Sequence, residues 1–167
     1  MIRTAILTVS DSAVAGTRED VSGPALAEAV RQNGWRIAVT KVVRDETHEI
    51  AHEAAAWADS GDVDLILCTG GTGIAPRDVT PEAIRSIAAR EVPGFGELMR
   101  AEGRKSTKFS ALSRSGAFTR GAVLILALPG SPRGAVDSLN AIVDLIPHAV
   151  NLLHGQTRHE KETMEHR

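Results

Sequence analysis

Val63-Asp64-Leu65-Ile66-Leu67-Cys68-Thr69-Gly70-Gly71-Thr72-Gly73 is an apolar run that breaks into glycines. Three residues further on comes Arg77-Asp78-Val79-Thr80-Pro81-Glu82-Ala83. The apolar run reads as a buried strand. Thr80 reads as a hydroxyl N-cap, Pro81 as the first helical residue and Glu82 as a first-turn acid. The segment therefore runs strand, glycine turn, helix. Glycines there let backbone N–H groups approach a ligand closely, and such groups suit phosphate oxygens. Asp78 lies on the same loop, where a carboxylate can hold a metal ion on that phosphate.

Outward from this segment the same alternation continues. Ala5 to Val9 and Trp35 to Val43 read as strands, separated by a helix opening at Ser22-Gly23-Pro24 and closing at Asn33-Gly34. Thr47 reads as the cap of an alanine-rich helix that stops at Ser60-Gly61. A helix is expected from Thr80 through Ala89 and another from Pro93 to about Glu102, with Gly103 to Ser110 as a basic loop. Ser115 to Thr119 and Ala122 to Leu128 read as a hairpin turning at Arg120-Gly121. Leu128-Pro129-Gly130-Ser131-Pro132 is a second strand-to-helix turn, followed by helices from Ala135 to about His154. The expectation is a three-layer α/β/α fold with a mainly parallel central sheet and a small antiparallel hairpin in the C-terminal half. Residues 1–155 are read as one domain and 156–167 as a charged, disordered tail.

In such folds ligands sit at the carboxyl ends of the strands. The residues following each strand are Ser10-Asp11-Ser12, Arg44-Asp45-Glu46, the glycine loop with Asp78, and Pro129-Gly130-Ser131. Taken singly they are ambiguous. Asp45 and Asp78 also read as turn aspartates, Glu46 as a solvent-facing neighbour, and Ser10, Asp11, Pro129, Gly130 and Ser131 as turn formers.

Composition excludes several classes. The 167 residues carry a formal charge of −2 and no Tyr, which argues against a nucleic-acid surface. Met1-Ile2-Arg3-Thr4 leads straight into a strand, so no signal peptide is expected. The longest apolar run, Ala122 to Pro129, is far below the roughly 20 residues that span a bilayer. A cytoplasmic protein without membrane contact is expected. Cys68, the one cysteine, lies within a strand run and reads as a core residue. His48-Glu49-Ile50-Ala51-His52 spells H-E-x-x-H on a helix, a zinc pattern. It lacks a third ligand, since Ala55 and Ala58 stand where the long form needs Gly and His. The glycine loop lacks the Lys-Ser/Thr ending of a P-loop and the spacing of a dinucleotide fingerprint.

Together these segments resemble one family. Ser10-Asp11, Asp45-Glu46, Thr69 to Gly73, Arg77 to Ala83, Pro93-Gly94-Phe95-Gly96-Glu97, Leu112-Ser113-Arg114 and Leu128 to Pro132 are similar in order and spacing to the MogA/MoaB family of molybdenum-cofactor biosynthesis. The Arg77-Asp78-Val79-Thr80-Pro81 stretch resembles the adenylyltransferase branch, related to the gephyrin and plant G domains. The resemblance implies AMP transfer from Mg-ATP to the terminal phosphate of molybdopterin, with Asp45 and Asp78 as catalytic, magnesium-holding carboxylates. It implies that Ser10, Asp11, Glu46, Thr69, Gly70, Gly71, Thr72, Gly73, Pro129, Gly130 and Ser131 bind substrate. Lys108, Ser113 and Arg114 fall in the region that takes the pterin's phosphate and sulfur-bearing end. A homotrimer is implied, with a molybdenum-insertion enzyme as a further partner. The alternative is a MoaB-like protein that binds molybdopterin without turnover.

Overall fold

Alternation along the strands sorts their side chains onto two faces, and both faces are covered. The computed structural model describes residues 1–156. Along the chain run β1 (Arg3–Val9), α1 (Asp11–Val14), α2 (Ser22–Gln32), β2 (Arg36–Val43), α3 (Thr47–Asp59), β3 (Leu65–Thr69) and α4 (Thr80–Ile87). They continue with β4 (Arg90–Val92), α5 (Pro93–Gly103), β5 (Gly116–Arg120), β6 (Val123–Leu128), α6 (Pro132–Asn140) and α7 (Ile146–Leu153). The strands form one sheet in the order β2-β1-β3-β6-β5-β4. Its β2-β1-β3-β6 portion is parallel, and β5 and β4 add antiparallel pairings.

One face of the sheet presents Ile6, Leu65, Leu67, Leu124 and Leu126, packed beneath Leu26 of α2, Met99 of α5 and Leu139 of α6. The other presents Ala5, Leu7, Ile66, Cys68 and Ile125, packed beneath Ile50 of α3 and Ile84 of α4. Burial on both faces explains why β1, β3 and β6 are apolar almost throughout. Cys68 is fully buried, and desolvation pushes its thiol up to about 12, as befits a core residue. Among the described residues no helix is long and apolar enough to cross a membrane.

The layered architecture and the hairpin match the reading from sequence, with local corrections. The helix expected through Ala89 ends at Ile87, and Arg90–Val92 is a strand. Three residues at a sheet edge are too few for alternation to show, and only pairing with Ala117–Thr119 makes them β. Thr80 does not cap α4; its hydroxyl donates to the Gly70 carbonyl at 2.8 Å and closes the glycine turn instead. Thr47 is the first residue of α3 rather than its cap. The stretch after Ser10 is a short helix, α1, capped by the Ser10 hydroxyl. The segment expected as a loop from Gly103 holds a 3₁₀ turn at Lys108–Leu112. Of the expected tail, residues 157–167 lie outside the described residues.

Thr4 of β1 is fully buried and its Oγ1 has no hydrogen-bond partner among the described residues. A buried hydroxyl without a partner costs about 1–3 kcal/mol. Thr4→Val, nearly the same shape, is expected to stabilise the fold by about 1 kcal/mol. Urea unfolding checks this, and a lower midpoint for the variant would place a partner on that hydroxyl.

Candidate functional site

The parallel strands end level at one edge, with Val9 beside Val43, Thr8 beside Thr69, and Thr69 beside Leu128. β1 leads to β2 on one side and lies beside β3 on the other, so the chain changes direction across the sheet here. That is where open α/β sheets form ligand crevices. The turns after β3 and β6 touch through their backbones. Gly70 N donates to Leu128 O at 3.1 Å, and a Cβ on Gly130 would lie 3.2 Å from the Gly70 Cα. Thr69 Oγ1 donates to Pro129 O at 2.7 Å and locks the two turns together.

Asp45 and Asp11 hold each other through main chain. Asp11 N donates to Asp45 Oδ2 at 2.8 Å, and Asp45 N donates to Asp11 Oδ1 at 3.0 Å. The other Asp45 oxygen, Oδ1, faces the glycine turn, 3.2 Å from where a Cβ on Gly71 would sit. Asp78 differs: the oxygen that faces the loop, Oδ2, 2.7 Å from a Cβ built on Gly73, is also the one that accepts from Ala75 N at 2.9 Å. Asp78 lines neither of the two clefts that open around the glycine turn. Each carboxylate thus has one oxygen tied by a backbone N–H and one without a hydrogen-bond partner among the described residues. Burial raises the Asp45 pKa above the usual carboxylate value, and the Asp11 and Asp78 charges push the same way. An oxygen-only pair of this kind fits a hard divalent cation such as magnesium.

Around the glycine turn open two clefts. The first, about 500 Å³, is lined by the ends of β1 and β3, by Ser10, Asp11 and Asp45, by Gly70, Gly71, Gly130 and Ser131, and by residues 18–22. The second, about 410 Å³, lies between α5, α6 and the segment from Gly103 to Ser113. Ser131 lines both, and its hydroxyl also caps α6 by accepting from Gly134 N at 3.1 Å.

Other candidates are placed differently from their sequence reading. Glu46 lines neither cleft and pairs with Arg77 at 3.0 Å. Arg77 also forks onto both oxygens of Asp11, at 2.9 and 3.0 Å, and holds that carboxyl below its ordinary pKa. Arg77 therefore ties the glycine loop across the ends of β1 and β2. Arg114 donates to the carbonyls of Gly73 and Asp78 at 2.8 and 2.7 Å and pairs with Glu82, while Arg114 N donates to Thr72 O. It braces the glycine loop instead of facing a cleft. Thr72 is buried within that loop. Ser113 lines the second cleft, whereas Lys108 is exposed, lines neither, and stands 5.7 Å from the Phe109 ring centroid. In the H-E-x-x-H segment both histidines are exposed and Glu49 pairs with Arg44. Among the described residues no three His, Cys, Asp or Glu side chains are grouped to hold a metal ion.

The family described as a probable molybdopterin binding domain matches residues 5–148. The chain belongs to that family. A relative in Helicobacter pylori strain J99, named molybdopterin adenylyltransferase, is 38% identical over 157 residues, covering 92% of this chain and 89% of that protein. A molybdenum cofactor biosynthesis bifunctional protein of Synechococcus elongatus is 41% identical over 150 residues, 90% of this chain. The chain spans about half of that relative, 47%. Among solved structures, the molybdopterin biosynthesis enzyme MoaB of Thermus thermophilus superposes with a TM-score of 0.87 at 48% identity, covering 93% of this chain and 98% of that one.

Within this molybdopterin-binding family member, two sets of residues around the clefts were missed from sequence. Arg18, Glu19, Asp20, Val21 and Ser22 form a wall of the first cleft. Ser22-Gly23-Pro24 signals only a helix start, and nothing local says that the residues before it fold over the end of β1. Thr8 Oγ1 brings them there by donating to Asp20 Oδ2 at 2.9 Å. Arg100 lines the second cleft from mid-helix, where spacing marks it only as a polar position.

Proposed function

We propose that this protein transfers AMP from Mg-ATP to the terminal phosphate of molybdopterin, releasing pyrophosphate. A phosphate oxygen of the pterin forms a bond to the α-phosphorus of ATP as the bond from that phosphorus to the β-phosphate bridge breaks. The observation carrying this reading is that Asp45 turns its open oxygen to the glycine turn, while Asp78 lies on the same loop with one oxygen free of hydrogen bonds among the described residues. The names of the family relatives in Helicobacter pylori and Escherichia coli, both molybdopterin adenylyltransferase, support it.

Charge decides the form of the nucleotide. Four carboxylates, Asp11, Glu19, Asp20 and Asp45, line the first cleft against one guanidinium, Arg18. Bare polyphosphate is repelled there, and a bound magnesium ion, by cancelling part of its charge, weakens that repulsion. Asp45 and Asp78 would hold the ion, which supplies charge neutralisation on the phosphates when bound. With the Gly70 N–H held by Leu128 O, the Gly71 N–H receives a phosphate oxygen, and the reciprocal Asp11–Asp45 bonds keep the carboxylate oriented without reorganisation during reaction. The second cleft, which carries Ser113, takes the pterin. We assign a homotrimer acting in the cytoplasm beside a molybdenum-insertion enzyme, as the family resemblance implies. Light scattering reads the subunit number.

Mass spectrometry of a mixture of protein, molybdopterin, ATP and magnesium tests the reading. Adenylylated molybdopterin and pyrophosphate are expected, with product lost on chelation of magnesium. Pterin retained without AMP transfer would turn the assignment to a binding protein.

The acidic limb of the rate profile reports Asp45, which must be ionised to hold the cation. Its raised pKa places loss of activity, as pH falls, at a higher pH than an unperturbed aspartate would give. Asp11→Asn removes a neighbouring negative charge, lowers the Asp45 pKa, and is expected to move that limb to lower pH. Asn still accepts from Asp45 N, and the N–H donor at position 11 is retained. A limb that stays in place or moves upward assigns the titration to another group.

A further inference from the structure

Arg100 stands out in the second cleft because nothing among the described residues neutralises it. It projects from α5, is half-buried, and has no carboxylate within ion-pair distance. The arginines that brace the glycine loop or share this cleft each have one: Arg77 through Asp11 and Glu46, Arg114 through Glu82, and Arg133 through Asp137. Arg100 Nη1 donates to the Ser113 and Ser115 carbonyls at 3.3 and 2.8 Å. Nε and Nη2 make no hydrogen bond among the described residues. The guanidinium lies over Gly96, both terminal nitrogens 3.1 Å from where a Cβ there would sit, so it has a fixed seat.

A second observation comes from the opposite wall. Ser138 of α6 is 6% exposed and lines the same cleft; its hydroxyl makes no hydrogen bond among the described residues and, unlike that of Thr4, stays open to the cleft. Around these two polar groups the lining includes the apolar side chains of Met99 and Phe109. A half-buried cation without a counter-charge, sharing a cleft with an uncommitted hydroxyl, leaves two groups that an anionic ligand can complete. Guanidinium is weakly hydrated and forks onto planar or bidentate anions, which suits a partly apolar pocket.

We infer that Arg100 and Ser138 together bind an anionic end of the pterin substrate in the second cleft. This rests on the adenylyltransferase reading above and deepens it by naming the groups that recognise the acceptor. Two parts of the pterin share the required chemistry, its phosphate and its dithiolene sulfurs.

The test is equilibrium binding of molybdopterin and, separately, of Mg-ATP to the wild-type chain and to Arg100→Met, Arg100→Lys and Ser138→Ala. Arg100→Met is expected to weaken molybdopterin binding about tenfold, the loss of one charge-assisted hydrogen-bonding group. Arg100→Lys keeps charge without the fork and should recover part of it, and Ser138→Ala should cost a few-fold. Mg-ATP affinity should stay within twofold for all three. Dephosphorylated molybdopterin and a sulfur-free phosphopterin distinguish the source: the analogue that lacks the recognised anion binds wild type and Arg100→Met equally. Arg100 also fastens the segment at Ser113 to Ser115, so Ser138→Ala, which touches neither carbonyl, separates recognition from bracing. Molybdopterin binding within twofold of wild type in both Arg100→Met and Ser138→Ala overturns the inference, as does an equal loss of Mg-ATP. A wild type that makes adenylylated product alongside such variants sinks only this inference. A wild type that binds no pterin sinks the adenylyltransferase reading itself.

Discussion

Asp45→Asn and Asp78→Asn are each expected to lower AMP transfer by about 10²–10³-fold, the usual cost of removing one preorganised electrostatic group from a reacting centre. Asn keeps the shape and the acceptor oxygen for the backbone N–H of Asp11 or Ala75, so the loss is one of charge. At position 45 the structure predicts a further separation of activity from stability. The Asp45 carboxylate is held partly desolvated beside Asp11, an arrangement that raises its pKa and burdens the fold at neutral pH. The sign is that of a group bound less favourably when ionised: its cost is present at neutral pH and disappears as the carboxyl is protonated. Asp45→Asn should therefore unfold at the same urea concentration as wild type or a higher one, while losing turnover. Steady-state rates together with urea midpoints decide it. Transfer within threefold of wild type in both variants would place the cation elsewhere, and a fall in both midpoint and rate would make Asp45 a folding residue.

Gly70→Ala is the substitution expected to damage the fold most at this edge. Gly70 has φ of +105°, a region that side-chain-bearing residues rarely enter, and its missing Cβ would press into the Val9 carbonyl oxygen. Neither neighbour can yield. Val9 belongs to the central strand β1, and Gly70 is held by Leu128 O on one side and by the Thr80 hydroxyl on the other. Strain and overpacking together are expected to cost about 3 kcal/mol. Gly61→Ala supplies the comparison, because Gly61 has φ of +78° with open space around it. There only the dihedral cost remains, about 1 kcal/mol. Urea unfolding of both variants with unchanged slope checks the difference. Equal losses would mean that the contact with Val9 is relieved by backbone movement and that the turn is softer than its hydrogen bonds suggest. Gly71→Ala sits between these cases: its Cβ would lie 2.5 Å from Thr80 Oγ1 and 3.2 Å from Asp45 Oδ1, so it strikes the open carboxylate oxygen directly.

The layered fold and the sheet edge at which the first cleft opens were legible from residues close together in the chain. Continuous apolar runs at 5–9, 63–69 and 122–128, each followed by glycine or a helix-start residue, demand a sheet covered on both faces with ligand-facing loops at its carboxyl edge. Glycines 70 and 71 announced the close backbone approach, whereas Asp45 and Asp78 read singly as turn aspartates and drew a catalytic role only from the family resemblance. What the tertiary structure alone decided is which charged groups spend themselves on one another. Arg77 reaches Asp11 across 66 residues and Glu46 across 31, and Arg114 reaches Gly73 across 41. These pairings turn a candidate ligand, Glu46, into a partner for Arg77 and a candidate pterin contact, Arg114, into a brace for the loop. The same holds for the wall at 18–22, drawn in by one Thr8–Asp20 bond, and for Arg100 and Ser138, which share a cleft only because α5 and α6 pack together. Periodicity and turn chemistry act over a few residues and leave a trace in sequence. The pairing of long flexible side chains depends on where the folded backbone has already put them.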